Sequence, residues 1–269
     1  MKCSREGEFY GKTNETVQLN GIILNDAEYV LEKVDWHYHE NAYFTFILQG
    51  SVLEGSKKTV NECTAGTVLF HHWQDAHYNI ASKEYTRGLH VEIKPIWFSN
   101  FDIAQDIVPG SFRIMHPRIK ILLYKIFKEL KLGHPTSQLS IDALLVEIFS
   151  LMSKDESNSN DKNPSWVSTV RELLHAHGDT MELKSLARSA NIHPVHLSRT
   201  FSKHFHTTLG DYTREIKIQR ALSLLPNREL SLTDIALNCG FADQSHFIRI
   251  FRHYQQMTPL QYRKLLLKN

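Results

Sequence analysis

Arg199 and Arg249 stand at matching places in two stretches of this chain. A guanidinium keeps its charge and presents a planar fork of donors, so a pair of them held apart on rigid supports could grip paired hydrogen-bond acceptors at two places. The supports are visible as a repeat. Leu183 to Tyr212, LKSLARSANIHPVHLSRTFSKHFHTTLGDY, is restated from Leu232 to Tyr262 as LTDIALNCGFADQSHFIRIFRHYQQMTPLQY. Leu186-Ala187 matches Ile235-Ala236, Leu197 matches Phe247, Phe201 matches Phe251, and Tyr212 matches Tyr262, at a spacing of about fifty residues.

The apolar matches are the buried skeleton of two helices joined by a tight turn. At 100° per residue, with Leu197 facing inward, Phe201 lies beside it, while Val195, His196, Arg199, Ser202 and Lys203 fall on the far side. Ser245, His246, Arg249, Arg252 and His253 take those places in the second copy. Each copy thus predicts a helix-turn-helix with a cationic, hydrogen-bonding outer face, and Asp211 to Leu225 reads as one helix between them. A single basic helical face is commonly only solvated; two joined copies ask for more.

The C-terminal part resembles the DNA-binding domain of the AraC/XylS family of transcription regulators. The likeness spans roughly Trp166 to Leu267 and rests on Arg220-Ala221, Ile235-Ala236, Gly240-Phe241, Ser245-His246-Phe247, Arg249, Phe251, Thr258-Pro259 and Tyr262-Arg263. It implies two recognition helices offered to successive major grooves of double-stranded DNA, roughly 34 Å apart. Val195, His196 and Arg199 would then reach base edges from one helix, and Ser245, His246 and Arg249 from the other. Ser202, Lys203, Arg252 and His253 would touch phosphates, which sets register without reading sequence. His206 and Gln256 replace the glycine with which the family ends each recognition helix. A left-handed residue there would cost roughly 1–2 kcal/mol, so these helices are expected to end otherwise.

A length of 269 residues favours two domains. The net charge of +2 hides an asymmetry: residues 165–269 hold 14 Lys+Arg against 8 Asp+Glu, leaving 17 against 21 before them. A polyanion partner is therefore expected for the basic tail alone. Cys3, Cys63 and Cys239 are spaced like neither a disulfide framework nor a zinc site. With no apolar leader at the start and no apolar run of membrane length, a cytoplasmic protein without membrane contact is expected.

Between about Gln18 and Lys94, short alternating runs such as Tyr43 to Leu48, Thr67 to Phe70 and Leu89 to Ile93 are broken by turn residues, which argues for a β-sandwich or barrel. Within it, WHYHENAYFTFILQG and AGTVLFHHWQDAHYNI resemble the two motifs of the cupin barrel. His37, His39, Gly50, Gly66 and His77 fall where that family keeps its metal site and turns; Tyr43 stands at the usual glutamate and His72 at a frequent proline. The resemblance implies either a divalent transition metal held by imidazoles, with His71, His72 and His90 near enough to join, or a metal-free barrel whose histidines line a ligand pocket. Trp36, Tyr38, Tyr43, Phe44, Phe46, Trp73 and Tyr78 supply aromatic walls. Tyr43 and Thr45 share one strand face and Phe44 and Phe46 the other, with the lumen undecided between them.

Pro95 to Pro109 reads as an irregular connection. Ile119, Leu122-Leu123, Ile126-Phe127 and Leu130 then repeat at helical intervals, as do Ile141, Leu144-Leu145, Ile148-Phe149 and Met152. Such a pair has more apolar surface than a single barrel wall needs; the resemblance implies that it packs against a second subunit, so a homodimer is expected, the alternative being a hairpin that braces its own barrel. Ser153 to Ser165 contains no apolar residue and reads as a flexible linker.

The expected organisation is a cupin-like β-barrel sensor over 1–110, a helical hairpin over 111–153, a linker over 154–165 and an all-α double helix-turn-helix domain over 166–269. The expected function is transcription regulation in response to a small-molecule effector or metal, with an activator, and hence RNA polymerase as a partner, favoured by the resemblance. No catalysis is expected. The alternative is a metal-dependent cupin enzyme fused to a DNA-binding tail.

Overall fold

The computed structural model describes residues 2–57, 59–159, 164–177 and 182–268. They divide into two compact units, Met1–Ser150 with Leu265–Asn269, and Leu151–Lys264. The first boundary thus falls inside the predicted hairpin rather than in the predicted linker, and the last few residues group with the first unit.

The first unit carries eleven strands among its described residues. One sheet runs β1 (Lys2–Ser4), β4 (Lys33–His39), β9 (His77–Ala81), β6 (Ser51–Ser56), β7 (Val60–Thr64). The other runs β11 (Phe112–Ile114), β8 (Val68–His71), β5 (Ala42–Gln49), β10 (Arg87–Ile93), β3 (Ile22–Glu28), β2 (Lys12–Leu19). These are two separate sheets among the described residues, so the expected closed barrel is not formed. Strand structure also begins well before Gln18, because β1 and β2 find edges to pair with that no local pattern announces. Gly50 turns the chain from β5 into β6 at φ +76°, where a Cβ would stand 2.2 Å from the Tyr85 carbonyl oxygen.

Register decides what the alternation along β5 left open. Tyr43 lies opposite His71 on β8, and Thr45 opposite His90 on β10, so these four share a face. The other face carries Phe44 and Phe46 to the helices: Phe46 meets Tyr124 at 4.5 Å between centroids, and Phe44 meets Phe149 at 5.9 Å. Those helices are α2 (Pro117–Leu132) and α3 (Ser137–Ser159). Ile119, Leu122, Leu123, Ile126 and Phe127 of α2, and Ile141, Leu145, Ile148 and Phe149 of α3, are all buried in the single chain. The apolar surface expected to exceed what one wall needs is therefore already covered, which favours the bracing alternative.

A buried charge cluster fastens the same layers. Asp26 on β3 accepts from Arg87 Nε at 2.7 Å and from Arg87 Nη2, and Lys131 of α2 approaches the same carboxylate.

Two further expectations change. Pro95–Asn100 forms a short helix, α1, with Pro95 at its start, because Trp97 and Phe98 both find buried places. Helix α3 continues to Ser159, so the first part of the predicted linker is helical; residues 160–163 lie outside the described residues.

The second unit is helical: α4 (Ser165–His177), α5 (Leu183–Ser189), α6 (Pro194–Phe205), α7 (Leu209–Leu224), α8 (Leu232–Asn238), α9 (Gln244–Gln255), and α10 (Pro259–Leu266), which runs to its edge. Trp166, Val170 and Leu174 of α4 pack with Leu186, Leu197, Phe201 and Ile216 in one core. Ile235, Phe247, Phe251 and Tyr262 are fully buried in the second copy.

Candidate nucleic-acid interface and histidine cavity

The two predicted helix-turn-helix motifs are present, and their turns have the same geometry. In the first, Asn191 takes φ +53°, its amide donates to Arg188, and the Ile192 amide reaches Ala187 at 3.0 Å. In the second, Gly240 takes φ +76°, its amide donates to Leu237, and the Phe241 amide reaches Ala236 at 2.9 Å. Asparagine tolerates the left-handed conformation better than other side chains, which lets it stand for glycine. Cores are equivalent too: Phe201 meets Tyr212 edge-on at 5.9 Å, and Phe251 meets Tyr262 edge-on at 5.8 Å. Helix α7 joins the motifs, and Lys217 in its middle donates to the Gly240 carbonyl while lying over the Phe241 ring.

The residues predicted for the outer faces are exposed with one exception. Val195, His196, Arg199, Ser202 and Lys203 on α6 are exposed, as are Ser245, Arg249, Arg252 and His253 on α9. His246 is half-buried, its ring edge-on to Phe241 at 5.7 Å. Arg263 is occupied within the fold, donating to the carbonyls of Leu225 at 3.0 Å and Leu230 at 2.9 Å.

Helices α6 and α9 both end on a left-handed residue, His206 at φ 55° and Gln256 at φ 57°, against the expectation. The reason is tertiary. Phe205 must stay in the core against Tyr212, and the chain must then turn into Thr208, whose hydroxyl caps α7 by accepting from the Asp211 amide. That packing outweighs a backbone preference of roughly 1–2 kcal/mol. Both side chains point outward, so neither meets a steric barrier beyond the backbone itself.

In the first unit, rings from both sheets converge. His37 and His77 pair across β4 and β9; Tyr43, His71 and His90 come from the other sheet. All five, with His39, are buried. Tyr43 Oη lies 2.9 Å from His77 Nε2, and Phe9 stacks on His90 at 4.3 Å and on His39 at 5.1 Å. Glu54 on β6 joins them, its carboxylate 3.6 Å from His71 Nε2 and accepting from Asn79 Nδ2 at 3.2 Å. A cavity of about 530 Å³ adjoins Glu54, His71, His77 and Tyr38, and a void of about 30 Å³ lies among His37, His39, Tyr43 and His90.

Comparison with known proteins bears on these two units unequally. Residues 186–265 match a family described as a helix-turn-helix domain. The chain is 32% identical over 84 residues to the probable transcription factor PqrA of Proteus vulgaris, covering 31% of this chain and 69% of that protein. The chain belongs to the AraC/XylS family of transcription regulators. It is 29% identical to the Msm operon regulatory protein of Streptococcus mutans over 47% of this chain, and spans 45% of that relative's length. It is 24% identical to the transcriptional activator RhaR of Mannheimia succiniciproducens, over 86% of this chain and 88% of that protein.

The sensor-side expectations for this AraC/XylS member divide residue by residue. His37, His39, Tyr43, His71, His77 and His90 do meet, whereas His72 turns toward the Trp73 carbonyl. Of the aromatic residues expected as walls, Tyr38 lines the cavity of about 530 Å³ and Trp73 a separate one of about 260 Å³, while Trp36 is 40% exposed. Glu54 and Phe9 were missed. Glu54 had a signal, since it shares a strand face with buried Val52 and a carboxyl group two residues from a core valine is placed inward. Phe9 sits in an irregular segment and had none.

Burial governs how these groups ionise. It holds His77 and His90 down at about 3 and His39 at about 2, with neighbouring imidazoles adding to the shift at His39 and His77. It pushes the Glu54 carboxyl up to about 8, the Asn79 hydrogen bond opposing. His71 is held well below its usual value for the same reason, so burial works against an ion pair between it and Glu54. Among the described residues no helix is long and apolar enough to cross a membrane.

Proposed function

We propose that this protein binds double-stranded DNA sequence-specifically and regulates transcription in the cytoplasm, with its sheet unit as the effector-binding part. One observation carries the DNA reading: Arg199 and Arg249 are exposed at the same position on two helices whose cores and turns are equivalent. Val195, His196, Ser245 and His246 flank them as further base contacts, and Ser202, Lys203, Arg252 and His253 serve phosphates. The cavity beside Glu54, His71 and His77, of about 530 Å³, is of a size suited to a small molecule. Family resemblance supports activation, with RNA polymerase as the partner. It also supports a homodimer, whose surface would have to lie away from the buried faces of α2 and α3.

The test uses the full-length chain. Genome-wide binding followed by footprinting identifies an operator, and salt titration on it measures phosphate contacts. Lys203→Ala should weaken binding to all sequences alike and lower the salt slope by about one unit. An unchanged footprint and slope in both Arg249→Ala and Lys203→Ala would remove the assignment of these helices to DNA.

A further inference from the structure

The interior of the sheet unit holds two trios of potential metal ligands that share His77. These are His37, His39 and His77, and Glu54, His71 and His77, and in each the ligand atoms lie within 4.8 Å of one another. We infer that the second trio, Glu54, His71 and His77, binds one divalent first-row transition-metal ion. Two imidazoles and a carboxylate suit such ions, and the Glu54 carboxyl, releasing its proton as the ion binds, supplies the negative charge that three neutral imidazoles lack.

Three features favour this trio. The first is an orphan: His71 Nε2 is buried with no hydrogen-bond partner, as is His39 Nδ1 of the other trio, but His71 Nε2 also faces Glu54 Oε2 at 3.6 Å, beyond hydrogen-bonding reach yet near enough to share an ion with it. The second is orientation from outside the trio. His77 Nδ1 lies 3.3 Å from the Asp75 carbonyl oxygen, which can only accept, so that nitrogen carries the proton and Nε2 keeps its lone pair. Asn79 Nδ2 holds Glu54 by donating to Oε2, the same oxygen that faces His71. Tyr43 Oη, 2.9 Å from His77 Nε2, gives up this hydrogen bond when the ion takes the lone pair. The third is access. Glu54, His71 and His77 all border the cavity of about 530 Å³, which gives the ion an entry path and leaves room for a water or an oxygen-donor ligand in a further coordination position. His39 borders the smaller void of about 30 Å³, where Phe9 stacks on it.

The site is testable without DNA, so its failure leaves the DNA-binding proposal standing. The full-length protein, freed of metal by chelation, is titrated with Co²⁺ while its visible absorption is followed, and with Zn²⁺ in a calorimeter. One equivalent should bind. Glu54→Gln and His71→Gln should each lose it or weaken it at least a hundredfold, Asn79→Ala should weaken it about 10–100-fold, and His39→Gln should leave it. Circular dichroism and thermal unfolding establish that each variant folds. Should one of them not fold, X-ray absorption of the Co²⁺-loaded wild-type chain decides, two imidazoles supporting the inference and three opposing it. Absence of binding, or loss in His39→Gln with retention in Glu54→Gln and His71→Gln, overturns it.

Discussion

The two helix-turn-helix copies share a core and a turn but differ in how each helix is started. In the second copy, Ser231 and Asp234 form a reciprocal capping box at α8, and Asp243 caps α9 by accepting from the His246 amide at 2.7 Å. In the first, Glu182 precedes α5 with no side-chain cap, and α6 relies on the His193 ring, which accepts from the Val195 amide at 3.3 Å. The first copy instead leans on α4, whose Trp166 meets the His204 ring at 5.1 Å, while Phe201 and Phe205 stack on each other at 4.1 Å. One motif is anchored locally and the other by its neighbours. Equivalent helix pairs can therefore be held in place by different contacts.

The largest expected effect tests whether the cores are equivalent. Phe201→Ala and Phe251→Ala should each destabilise the chain by about 3–5 kcal/mol in denaturant unfolding; a loss confined to one would mean that only that copy is packed as described. Next come the reading heads. Arg199→Ala and Arg249→Ala should each weaken specific binding by about 1–3 kcal/mol and relax preference at one or two base pairs, measured on operator variants. A silent Arg199 would make the first copy a support rather than a reader.

Smaller effects sharpen the contrast in anchoring. Asp243→Ala should cost about 0.5–2 kcal/mol, and His193→Ala less, since its hydrogen bond is longer and its acceptor uncharged. Equal losses would erase the proposed difference. The smallest effect is one of shared geometry: His206→Gly and Gln256→Gly should each add about 1 kcal/mol by removing the left-handed penalty. A loss at either would show that the replaced side chain contributes more than its backbone conformation costs.

Much of the helical unit was legible because its determinants are local and written twice. A period of 3.6 places Leu197 and Phe201 inward and Arg199 outward whatever surrounds the helix. The sheet unit was legible only in part. Alternation along β5 separated Tyr43 from Phe44, but which face met the helices depended on α2 and α3, far along the chain. Met152 marked the end of the apolar periodicity, not the end of the helix, because polar residues such as Ser153 and Lys154 continue a helix as readily as they leave one.

By itself, then, the amino-acid order determined the repeated motifs, the cationic faces and the clustering of histidines, since each follows from periodicity and residue chemistry over short distances. Only the tertiary structure decided that the sheets stay open, that His206 and Gln256 accept left-handed backbone, and that Glu54 meets His71. Those outcomes depend on strand register and on packing between residues distant in the chain, where contacts worth a few kcal/mol override local preferences worth about one.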